Sequence, residues 1–374
     1  MGLFDRKKSP AKQGRPVAGR QTNQPAPPPP APPLPPPLRY PPPPPPSSRV
    51  SPPPRPVARG VIGIGIETEF LLGPHPHRPR MESLVENLTV SRPHSTWKLV
   101  DDPTVGTNSI PWGVEMVSPM FQLAQSSGWR ETITDTWETL DAHYIVSGGE
   151  NCSTHVHMSI GGYYSVLQLK RLAQAIIHFE PAFEAILPRD RRGNEYARSN
   201  WIDNDYFGRK GLSRPQAVAR IEQCRTIDEI IELMNPKGSR YFGWNFQALK
   251  KYETVEFRRG PVSTTVNDVF KWIALASSFL RAAIEMDSAE KICATAPTVG
   301  GLGTFVYYGA RHDPQDGRYL QLLLAGRHAG DRMDPIAVGK LSPEKRKKLE
   351  RKMEIDRRCN PMVDNIIAAQ EGRA

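Results

Sequence analysis

Between Asn151 and Ile160 the chain reads NCSTHVHMSI, and this alternation constrains the fold more than any other stretch. His155, His157 and Ser159 fall at every second position, with Val156, Met158 and Ile160 between them. A β-strand sends successive side chains to opposite faces, so the pattern reads as a strand with an imidazole-and-hydroxyl face backed by a hydrocarbon face. Imidazole binds metals through a neutral ring nitrogen, which makes the polar face a candidate for a cation or a phosphate-bearing ligand. Two partly buried, hydrogen-bonded histidines satisfy the same pattern, so the strand needs partners before it counts as a site.

Three other segments supply them. In VIGIGIETEFLL, Ile62, Ile64, Ile66 and Phe70 share one face, while Gly63, Gly65, Glu67 and Glu69 share the other. Two carboxylates on neighbouring same-face positions repel, and a cation between them is a natural reason for the arrangement. In PWGVEMVSPM, Glu115 stands on a short apolar strand between Val114 and Met116. In TVEFRRG, Glu256 and Arg258 share a face opposite Val255 and Phe257, which suits a metal ligand beside a phosphate clamp.

Helical spacing of apolar residues predicts helices over about 129–144, 165–187, 216–234 and 267–286. Residues 1–58 are low in complexity and dense in proline, which removes backbone donors and fixes φ, so they are expected to form a disordered, basic arm. Within it, residues 25–56 hold PPLP and a tyrosine followed by prolines, motifs that fit polyproline-binding domains; a spacer role is the alternative. A catalytic domain over 59–296 and a partly flexible extension over 297–374 complete the expected organisation. The extension includes LSPEKRKKLERKMEIDRRC, expected to be a charged, solvent-exposed helix capped by Ser342. The loop PRDRRGNEYARSNW is too polar to be expected in the core and is read as solvated or lining a substrate mouth.

The net charge of +10 does not point to nucleic acid, because the arm carries about +8 and the tail from Lys340 to Arg358 about +5, leaving the middle near neutral. Four scattered cysteines argue for a reduced, cytoplasmic (intracellular) chain, and no apolar run approaches bilayer-spanning length, so no membrane association is expected.

Taken in order, ETEF, VEMVSP, STHVHMSI, SRYFGWN and TVEFR resemble the amidoligase family, especially its fungal type, within the carboxylate–amine ligase superfamily that includes glutamine synthetase. The resemblance implies an α+β, glutamine synthetase-like fold, with a largely antiparallel sheet forming a funnel-like site and helices packed behind it. It also implies ATP and two divalent metals, Mg²⁺ or Mn²⁺. By that likeness Glu67 and Glu69 are ligands to different metals, Glu115 is a further ligand, and His155 and Glu256 share Glu67's metal. His157 and Ser159 then lie near the nucleotide, while Arg258 and Arg240 hold phosphate or the substrate carboxylate.

The residues fit that chemistry independently. Several carboxylates with one or two imidazoles favour a hard ion such as Mg²⁺ or Mn²⁺. A carboxylate is a poor electrophile, and its activation by the ATP γ-phosphoryl group gives an acyl phosphate that an amine can attack. Carboxylate and amine substrates are thus expected, with Asp101, Asp102 and Glu115 as candidate general bases. A metal-dependent hydrolase, or a non-catalytic scaffold using the proline-rich arm, are the competing readings.

Overall fold

The computed structural model describes residues 61–75, 97–102, 105, 112–124 and 127–358, so the proline-rich arm and the polyproline-binding motifs at 25–56 lie outside the described residues. The sheet is laid out on β1 (Gly63–Pro74), a 12-residue strand long enough to carry two partners along each edge. One edge pairs with β6 (Ser153–Ser159) and then β5 (Tyr144–Ser147), the other with β4 (Phe121–Gln122) and then β3 (Trp112–Val117). With β2 (Lys98–Asp101), β7 (Trp244–Asn245) and β8 (Val255–Pro261) the order is β2-β3-β1-β6-β8-β7, and every named strand pair is antiparallel.

The hydrocarbon faces do what their alternation predicts. Ile64, Ile66, Phe70, Val156, Met158 and Phe257 are buried in one core with the apolar sides of α1 (Trp129–His143), α2 (Val166–Ile186) and α6 (Val266–Glu285). Phe257 stacks on Trp272 of α6 with ring centroids 6.2 Å apart and meets the tilted ring of Phe183 of α2 at 6.2 Å, which ties the middle of β8 to both long helices. Both helices begin in a capping box, at Ser165 and at Thr265, so their start points are set by local hydrogen bonds as well as by packing. The chain is an α+β protein, mixing helices with an antiparallel open sheet.

Three expectations are corrected. The single helix expected over 216–234 is two, α3 (Arg214–Glu222) and α4 (Ile227–Met234). Thr226 breaks the run with extended backbone, and its hydroxyl accepts from the Glu229 N–H at 3.2 Å. The apolar pattern carries the break: Ile221 and Ile230 would lie on opposite sides of one continuous helix. Second, the polar loop at 188–201 is largely inside. Arg191, Asn194, Ser199 and Asn200 are buried, and Glu180 of α2 accepts from the Ser199 hydroxyl at 2.9 Å and the Asn200 N–H at 3.0 Å. Its polar groups survive burial because they are paired.

Third, the stretch beyond 296 is built into the body. After α5 (Leu249–Tyr252) and α7 (Ala289–Cys293) come α8 (Val299–Ala310) and α9 (Pro314–Leu324), whose Leu302, Phe305, Val306 and Leu320 join the main core. The last helix, α10 (Pro343–Arg358), is charged as expected, but one face is sunk: Leu349 and Lys352 are 7% and 5% exposed.

Candidate active site

Register across the sheet brings the polar faces together. Glu67 of β1 is opposite His155 of β6, Gly65 is opposite His157, and His157 is opposite Glu256 of β8, which is in turn opposite Asn245 of β7. The result is a cluster of two carboxylates and two imidazoles, all buried. His155 Nδ1 lies 3.1 Å from Glu67 Oε2 and 3.5 Å from Glu256 Oε1, and His157 Nε2 lies 3.4 Å from Glu67 Oε1 and 3.6 Å from Glu256 Oε1. His157 was expected near a nucleotide and His155 among the ligands; the geometry gives both rings the same two carboxylates.

The Ser153 hydroxyl donates to Glu69 Oε2 at 2.6 Å and its oxygen lies 2.8 Å from His155 Nε2, while His155 Nδ1 is hydrogen-bonded to Glu67 Oε2. Burial and the Arg258 guanidinium hold the His155 pKa below its usual value against the pull of Glu67. His157 Nδ1 lies 3.2 Å from Thr254 Oγ1, while its buried Nε2 has no hydrogen-bond partner. An unsatisfied buried nitrogen costs about 1–3 kcal/mol, and a bound cation removes that cost. One ring nitrogen and two carboxylates fit a divalent ion, since Glu67, His157 and Glu256 each offer an atom within 4.8 Å of the others, with His155 beside the two carboxylates.

Burial opposes ionisation of Glu67 and Glu256, but neighbours outweigh it. The two imidazoles hold Glu67 well below the usual carboxylate range, and Arg258, His157 and Arg240 hold Glu256 down at about 2. Arg258 is paired with Glu256, its Nε donates to the Tyr196 carbonyl at 3.3 Å, and its guanidinium lies 5.7 Å from the Tyr241 ring centroid. Asn245 Nδ2 donates to the other Glu256 oxygen at 2.7 Å. A bulge in β8 sets Arg258 and Arg259 against the single residue His155. The two arginines go different ways: Arg259 pairs with Glu184 and Glu180 of α2, passing so close to Gly243 that a Cβ there would lie 2.6 Å from its Cδ.

A second cluster lies beside the first. Glu69 is opposite Glu115 of β3, and Asp102 joins them. Lys352 of α10 is seated among the three, paired with Asp102, 3.1 Å from Glu69 Oε1 and 3.4 Å from Glu115 Oε2. Burial disfavours the ammonium, yet Glu115, Glu69 and Asp102 raise its pKa well above the usual lysine value. Burial pushes Glu115 up to about 8, with Glu67, Glu69 and Asp102 adding to the rise against Lys352. The second expected metal ligand set, Glu69 with Glu115, is therefore held by the protein's own cation. Of the candidate bases, Asp102 and Glu115 both touch Lys352, and the Asp101 side chain lies outside the described residues.

His157 and Glu256 floor a cavity of about 500 Å³ whose wall includes Arg198, Arg240, Tyr241, Tyr252 and, from α10, Leu349, Met353 and Asp356. Lys237, Lys250 and Lys251 add positive charge to the wall. Arg240 lies 3.8 Å from Glu256 Oε1 and 3.3 Å from Asp356 Oδ2. Ser159 lies at the other end of β6 opposite Gly63 and is not part of the cavity wall.

Sequence reasoning missed Ser153, which sits two residues before His155 on the same alternation and was there to be found. It also missed Lys352, Asp356 and Tyr241, for which no pattern pointed inward.

An α+β fold that sinks paired carboxylates and imidazoles into the floor of a basic-walled cavity has the architecture of an enzyme. Residues 69–280, well over half of the chain, match the family model described as "putative amidoligase enzyme", and the chain belongs to the amidoligase family. No curated protein matches the chain.

Proposed function

We propose that the protein is an ATP-dependent carboxylate–amine ligase that forms an amide or peptide-like bond through an acyl phosphate. The observation that supports this best is the buried cluster of Glu67, Glu256, His155 and His157, with Arg258 and Arg240 beside it, whose Glu256 and His157 reach the cavity. These four would hold Mg²⁺ or Mn²⁺, which would neutralise and orient phosphate oxygens. Arg258 and Arg240 would hold the transferring phosphoryl group or the substrate carboxylate, since a guanidinium presents its donors in a fork that matches either. Lys237, Lys250 and Lys251 would draw a polyanion to the mouth. On this reading the front of the sheet would be a glutamine synthetase-like funnel, and the scattered cysteines support a cytoplasmic location.

Balance of the reaction is simple: the γ-phosphoryl group passes from ATP to a carboxylate oxygen, leaving ADP, and the amine then displaces phosphate. The test is ADP release with Mg²⁺ and hydroxylamine across a panel of amino acids and other carboxylates. Hydroxylamine traps the acyl phosphate, so a hydroxamate is the expected product. Stoichiometric zinc after purification, with turnover that ignores ATP and added magnesium, would instead establish the hydrolase reading.

A further inference from the structure

The second carboxylate cluster is closed by a helix that also walls the cavity. Lys352 Nζ sits among Glu69, Asp102 and Glu115, and on the same helix Leu349, Met353 and Asp356 line the space above Glu256 and His157. Asp356 is clasped by the Tyr241 hydroxyl at 2.8 Å and by Arg240 at 3.3 Å, so a candidate phosphate-binding guanidinium is also engaged by α10. Among the described side chains of α10, Leu349 and Lys352 are the two that are buried, and Lys345 adds an ion pair to Glu195 at 3.3 Å, so polar contacts do most of the holding.

The chain leading into α10 is anchored up to a definite point. Arg214 pairs with Asp334 at 2.8 Å, the Met333 N–H donates to the Pro181 carbonyl at 2.9 Å, and the Val338 N–H donates to Asp203 at 3.0 Å. Gly339 follows at once with φ +64°, and no atom lies within 4 Å of where its Cβ would be. Glycine adopts that backbone at little cost, so the turn between the fixed strap and the helix is unstrained and unpacked.

We propose that α10 is an internal occupant of the second cluster, and that a divalent ion taking Glu69, Asp102 and Glu115 displaces Lys352 and frees the cavity wall and Arg240 together. Three carboxyl groups face a single ammonium, so a doubly charged ion that binds their oxygens directly competes on favourable terms. Ion entry at the second cluster and opening of the cavity thereby become one event. This rests on the proposed metal-dependent ligase reading, in which the first cluster holds its own ion.

The test uses the full chain and Mn²⁺ alone. Hydrogen exchange of the amides in 343–358 should quicken at saturating Mn²⁺ while those of α6 stay protected; unchanged or slower exchange in α10 overturns the proposal. Calorimetric titration should show two ions, the second tighter in Lys352→Met by on the order of tenfold to a hundredfold and in Asp356→Asn by a few fold. Equal affinity for the second ion in all three forms overturns it as well. One ion bound identically in every form removes the displacement and leaves the ligase reading standing, whereas no ion bound in any form, wild type included, brings down both.

Discussion

The two carboxylate clusters begin two residues apart on β1, at Glu67 and Glu69, and are balanced in opposite ways. Around Glu67 and Glu256 the chain supplies ring nitrogens turned inward, with Arg258 paired to Glu256 from the same strand. Around Glu69, Asp102 and Glu115 it supplies an ammonium from its last helix. The difference teaches that a row of acids on a sheet leaves open where its countercharge comes from. On the proposed reading one cluster would receive an ion, while the other is closed by a lysine of the protein's own.

Removing the ammonium should have the largest effect. Lys352→Met leaves three buried carboxylates facing one another and should cost about 3 kcal/mol or more in urea unfolding, recovered on adding Mn²⁺. A loss under about 1 kcal/mol would class Lys352 with surface lysines and erase the contrast. In the first cluster the main loss should be in ion affinity. Glu67→Gln and His157→Ala should each weaken Mn²⁺ binding by on the order of a hundredfold, and Glu67→Gln should also lower the melting temperature, since a carboxylate held well below its usual range stabilises the fold in its ionised form. Retained affinity would move the ion elsewhere.

Arg258→Ala should slow turnover by on the order of a hundredfold while Mn²⁺ binding holds or tightens, because a cation beside Glu256 has gone. Weaker Mn²⁺ binding would show that the guanidinium positions Glu256 more than it clamps phosphate. The smallest effect belongs to Ser153, whose hydroxyl touches Glu69 of one cluster and His155 of the other. Ser153→Ala should cost about 1 kcal/mol and about tenfold in ion affinity, read by unfolding and titration on one preparation. If neither moves, the clusters are independent.

Much of the first cluster was legible because strand alternation is a strict rule: once β1, β6 and β8 are strands, Glu67, His155, His157, Glu256 and Arg258 share the front. Which ring meets which carboxylate was not legible, because that depends on register and on the β8 bulge, both set by long-range pairing. Buried polar loops escape for a related reason. Arg191 reads as solvated until the carbonyl of Arg258 is found 2.9 Å from its guanidinium. The hardest case was α10, where one lysine among many is buried and only the distant acids distinguish it.

Asp102 and Lys352 are 250 residues apart in the chain, and that separation gives the second cluster a history. Domains begin to fold while still being synthesised, and everything through α9 is translated before α10 exists. A growing chain therefore carries its acidic row before it owns the lysine that closes it, so the second cluster is the last part of the site to be completed.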